Sequence, residues 1–106
     1  MKPRRWHQDN YTARCITTYI GPSTWLADDK EVRFDQFKAT LGLRHELSSP
    51  RIVPCFESIH RPGANAMVLM KGNQWPGVNG LGLTHRAPDP PKGTPIKRIM
   101  LKVDLM

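Results

Sequence analysis

"RWHQDNYTARCITTYI", Arg5 to Ile20, holds both the strongest strand signal in this chain and its densest chemistry. Its second part, Tyr11–Ile20, is rich in β-branched and aromatic residues and reads as a strand. Its first part sets His7 and Asp9 two residues apart beside Trp6. On extended backbone, residues i and i+2 point to one face. One imidazole and one carboxylate can therefore converge on a point. The pair is either a metal pair or a polar strand entrance with Asp9 capping a turn. By the same alternation Cys15 would share their face, although a small buried apolar residue is its plainer reading.

Outward from this stretch, the chain has 106 residues, enough for one domain with a modest core. Ten prolines and an apolar fraction of 39% disfavour long helices. The net charge of +7 suits an acidic small molecule or a nucleic acid. The cations are scattered, and their densest cluster is only Lys2, Arg4 and Arg5, so nucleic acid is not favoured. Cys15 and Cys55 form no CxxC, which argues against a zinc ribbon and for free thiols in the cytoplasm or another reducing compartment. No stretch approaches the ~20 apolar residues of a membrane span, and the basic N-terminus lacks the apolar run of a secretory signal.

Gly21-Pro22-Ser23 ends the first strand. Asp28 and Glu31 have capping-box spacing, and Phe34, Phe37 and Leu41 recur at helical spacing before Gly42, which predicts one short helix. "RIVPCFESIH" (51–60) predicts an edge or bulged strand, since Pro54 interrupts it. "MVLMKG" (67–72) predicts a strand, "NQWPGVNGLG" (73–82) a loop, "LTHRAP" (83–88) a short strand and "IKRIMLKVDL" (96–105) the last strand. Short strands between Gly/Pro turns, with no repeat and no boundary, predict one mainly β domain over 1–106, a sandwich or barrel.

The chemistry then extends beyond the opening stretch. His85 lies in "GLTHRAP", and Arg98 follows on the last strand. Two histidines and a carboxylate form a facial set that leaves positions open on an Fe(II) ion, and the same ligands also serve zinc. A basic side chain on the next strand could hold an acidic co-substrate. Arg98 alternates with Met100 and Lys102 against Ile99, Leu101 and Val103, a pattern that suits solvent as well as a polar interior. Arg86 is the rival anchor. Trp75 could stack on a substrate or pack on the barrel, and Lys71 could touch a substrate or end its strand in water. His45 and His60 read as surface or supporting residues, since neither has a carboxylate or cysteine at ligand spacing on a plausible strand.

The order His-x-Asp, distant His, then Arg resembles the double-stranded β-helix (jelly-roll, cupin-like) Fe(II)/2-oxoglutarate-dependent oxygenases. A longer likeness covers nearly the whole chain. "YIGPSTW", "KGNQW" and "GLTHRAP" are similar to elements of the bacterial family called domain of unknown function 1826, in the half of it that closes the sequence. The resemblance implies a jelly roll with one short helix and a metal set of His7, Asp9 and His85. It implies Fe(II) and 2-oxoglutarate as cofactors, with Arg98 or Arg86 on the acidic co-substrate. Genes of that family often neighbour CobW-like metal-handling GTPases. That implies the alternative of a zinc or metal-homeostasis protein without turnover. A third reading is a basic accessory subunit with a vestigial site. Members usually carry a further N-terminal half, so the jelly roll is expected to be incomplete here. An uncovered edge or apolar face should then lead to an oligomer or a hetero-complex.

Overall fold

The computed structural model describes residues 4–90 and 97–106. Five strands and two short helices run β1 Ala13–Ile20, β2 Trp25–Ala27, α1 Asp35–Ala39, α2 His45–Ile52, β3 Met67–Lys71, β4 Thr84–Arg86 and β5 Ile99–Leu105. All strand pairs are antiparallel. The larger sheet has the order β3-β1-β5, so the long first strand is its centre. The smaller sheet pairs β2 with β4, and single bridges extend it on both sides, His7 to His85 and Leu26 to His60.

The core lies beneath the smaller sheet. Trp6, Ala27, Val32, Ile52, Val53 and Ile59 form it, with Trp25, Phe34 and Phe37 packed around it. Arg5 ties this layer to the helices: its guanidinium donates to the carbonyls of Phe37 and Leu43 and to the hydroxyls of Thr40 and Ser48.

The sequence and the structure part at two places. The helix expected near Phe34–Leu41 forms as α1, but Asp28 makes no side-chain cap and Asp28–Glu31 starts a separate 3-10 turn. The strand expected over 51–60 does not form. Residues 45–52 are helical, 56–58 form a 3-10 turn, and only His60 keeps a strand-like bridge. The buried pair on α2 is Ser48 and Ile52, spaced at i and i+4. Because a serine fills one of the two inward positions, the apolar period that announces a helix is missing. Pro50 inside so short a helix hides it further. Hence two short helices stand where one is expected.

Two glycines let the backbones close over the site. A Cβ on Gly72 would meet the carbonyl of Tyr11, beside Asp9. Gly21 has φ +88°, and a Cβ there would meet the Lys97 carbonyl just before Arg98.

Candidate metal centre

His7 and His85 face each other across two antiparallel backbone hydrogen bonds, of 3.0 and 2.9 Å. Their ring centroids are 4.4 Å apart. Each Nδ1 sits against a backbone carbonyl two residues back: Arg5 at 2.6 Å for His7, and Leu83 at 2.9 Å for His85. A carbonyl only accepts, so each Nδ1 carries the proton and donates. Each Nε2 is left with its lone pair, and both are turned to Asp9, at 3.8 Å from His7 and 3.3 Å from His85. This is the tautomer and the orientation that metal-ligating histidines take.

Asp9 is buried, and its backbone carbonyl accepts a hydrogen bond of 2.8 Å from the Asn73 amide. Its Oδ2 lies 3.4 Å from Arg14 Nη1 and 3.3 Å from His85 Nε2, yet it has no partner in hydrogen-bond geometry. Burial by itself would raise the Asp9 pKa. The contact with His85, the Arg14 guanidinium and the charge either histidine carries when it is protonated outweigh it and hold the carboxyl below its usual range. The His7 imidazole goes the other way from a solvated one. Burial, then the neighbouring His85, pushes its pKa down and keeps it neutral. A neutral His7 and an ionised Asp9 are protonation states that suit a divalent cation. One donor atom from each residue lies within 4.8 Å of the other two, and among the described residues this is the sole cluster of that kind. The orphaned Asp9 oxygen and the two converging lone pairs therefore fit a divalent ion.

The centre borders a cavity of about 520 Å³ between the two sheets. His7 and His85 line it from the smaller sheet, while Arg14, Ile16, Met100 and Lys102 line it from β1 and β5. Arg4 and Arg98 also reach it. Arg14 is committed, since it makes a two-pronged contact with Asp104 at 2.6 and 3.0 Å. Arg4 pairs with Asp89 at 3.2 Å. Arg98 donates to the Thr24 hydroxyl at 3.1 Å, and among the described residues its buried Nε has no partner. Burial alone lowers its pKa.

The other expected residues lie elsewhere. Arg86 is 2% exposed and packs over the rings of Trp6 and Trp25, with its donors spent on Ser49, the Ala87 carbonyl and Asp89. It borders a different pocket, under the indoles. Lys71 stands over the Trp75 ring at 5.5 Å on the far side of the larger sheet. Cys15 pairs with Leu69 and Val103 on the outer face of that sheet. The alternation from His7 to Cys15 does not carry through, because residues 10–12 bend before β1 begins. His60 meets Asp28 at 3.0 Å near the surface, and His45 meets Glu46 at 3.2 Å. Sequence reasoning missed Arg14 as the cation beside Asp9. The period of β1 puts Arg14 and Ile16 on one face, but nothing in it says that face is the inner one.

The family described as "Protein of unknown function (DUF1826)" matches residues 1–104, and the chain belongs to it. No curated protein and no solved structure matches the chain.

Proposed function

We propose that this member of the DUF1826 family holds one divalent cation in His7, Asp9 and His85 and takes an acidic small molecule into the adjoining cavity. The reaction class we assign is Fe(II)/2-oxoglutarate-dependent oxygenation, in a jelly-roll frame made by the two antiparallel sheets. The carrying observation is the pair of imidazoles whose Nδ1 atoms are anchored on backbone carbonyls while both Nε2 atoms turn to one buried carboxylate. Such anchoring fixes ligand orientation and strengthens the donors. In a polar strand entrance it would satisfy two ring donors but would not call for both Nε2 atoms to turn to one carboxylate.

When bound, Fe(II) with 2-oxoglutarate would supply the activation of O₂ for attack on a substrate. The chain's own residues do the rest. Two neutral nitrogens and one carboxylate would leave a net positive centre with positions open toward the cavity. The Arg98 guanidinium, with an unused buried donor, suits the far carboxylate of a dicarboxylic acid. Ile16, Met100, Pro88 and Pro90 give the cavity apolar walls that limit water. Arg14 meets the same Asp9 oxygen that faces His85 and adds to the contacts that favour the ionised carboxylate.

The test is metal analysis of protein reconstituted anaerobically with Fe(II) or Zn(II), followed by titration with 2-oxoglutarate. The expected result is one ion per chain and a metal-to-ligand charge-transfer band with Fe(II). His85→Ala should weaken the metal by more than the ~10–100-fold typical of lost supporting residues, with the circular dichroism spectrum kept. If no ion binds, the whole reading falls. An ion without a band leaves a zinc or metal-handling protein and removes the oxygenase.

A further inference from the structure

The larger sheet is inside out by the usual pattern. Its register sets three rows on the outer face: Lys71–Ala13–Leu105, Leu69–Cys15–Val103 and Met67–Thr17–Leu101. Ile99 adds to the last row along β5. Met67, Leu69, Ile99, Leu101, Val103 and Leu105 are between 54% and 75% exposed. Apart from Lys71, the charged residues of the sheet, Arg14, Lys102 and Asp104, share the opposite face, toward the cavity.

We infer that this outer face is the interface of a two-fold dimer with a second copy of the chain. Exposure argues for it first. Six large apolar residues that adjoin on one face are each more than half exposed, and a contiguous patch of that kind is what marks an interaction surface, where single exposed apolar residues do not. Shape argues for it next. The flanking strands carry large residues, whereas the central strand carries Ala13, Cys15 and Thr17, so the face is a trough between two ridges. Across a two-fold axis, a ridge of each copy can lie in the trough of the other, which is the self-complementarity such an interface needs. Charge argues for it last. The chain carries +7, yet the three rows include only Lys71, at one end beside Trp75. An acidic protein, a nucleic acid or an anionic membrane would find a single cation, at the end of this face, and the middle of the face would meet a second copy without bringing like charges together.

Sedimentation velocity tests the inference. At about 100 µM, above the micromolar limit of such interfaces, the wild-type chain should sediment as a dimer, and more tightly as salt screens the net charge. Leu101→Lys and Leu69→Lys, on opposite ridges, should each weaken the dimer at least tenfold with unchanged circular dichroism. A second measurement leaves the face intact: in a Cys55→Ser chain, alkylation of Cys15 should be slow in concentrated solution and speed up on dilution. Cys55 is exposed, so that change is benign. A wild-type monomer at that concentration overturns the inference. So does a dimer that survives both lysines, Cys15 labelling that ignores dilution, or a monomer that pellets with lipid vesicles.

Discussion

Arg86 and Arg98 are both cations drawn out of water, and their surroundings leave them different things to do. Arg86 lies 5.7 Å from the Trp6 ring centroid and 4.7 Å from that of Trp25, and its donors reach Ser49, Ala87 and Asp89. Among the described residues Arg98 donates to Thr24 alone, and its buried Nε has no partner. Burial lowers the pKa of both, but the charge of Asp89 offsets it for Arg86, and for Arg98 nothing does. A guanidinium whose donors are filled by its own chain is a structural bolt. One that carries a desolvation cost with a donor left over is the kind of group that the proposed co-substrate would need.

The comparison breaks first on stability. Arg86→Ala should cost about 3 kcal/mol in urea unfolding, chiefly through the slot emptied between two indoles. Asp89 is half-exposed and regains water, so its lost partner adds little. A loss below about 1 kcal/mol would mean that Arg86 is no bolt. Arg98→Ala should do the reverse. Its unfolding free energy should stay within about 1 kcal/mol of wild type, and metal affinity should hold. The affinity for 2-oxoglutarate in the anaerobic Fe(II) protein should fall by about tenfold to a hundredfold, as for a lost charge-assisted contact. An unchanged charge-transfer titration in Arg98→Ala would show that the anchor is another residue, with Lys102 the next to test.

The smallest effect concerns pH. Neither arginine titrates in a usable range, so acid should act through other groups: His7 and Asp9 of the candidate metal set, with His45, Glu46 and Asp104, whose pKa values are also lowered. His7 has a folded pKa below its ordinary 6.5, which means the unfolded chain takes up a proton there before the folded one. Stability should be complete above pH 6.5 and decline as the pH falls below it. A second loss should follow below 3.8 as Asp9, also lowered, is protonated in the unfolded chain first. Urea midpoints of the metal-free protein at several pH values should show the same decline in Arg98→Ala and a shallower one in His7→Gln. An equally steep decline in His7→Gln would place the titrating group elsewhere.

Much of the metal set was open to reading. His-x-Asp and a distant His are residue types with a chemistry of their own, and His85 and Asp9 do converge. Choosing between Arg98 and Arg86 was not possible from spacing. Arg86 adjoins His85 in the chain, but neighbours on a strand point to opposite faces, so it lands among Trp6 and Trp25. Helix α2 was unreadable for another reason: a buried serine and an internal proline erase the pattern, and packing of Ile52 and Val53 against the core overrides the local preference.

The sequence by itself determined the strands around Cys15, Leu69 and Val103, the family, the residue types of the candidate metal set and the alternation that puts Met100 and Lys102 on one side of β5. Tertiary structure alone decided which side that is. A period of two says which residues share a face, and it reads the same when the strand is turned over. The choice is made by what packs opposite. Here the smaller sheet presents His7, His85 and Thr24 to the larger one, so the polar side of β5 turns inward and Leu101, Val103 and Leu105 are left outside.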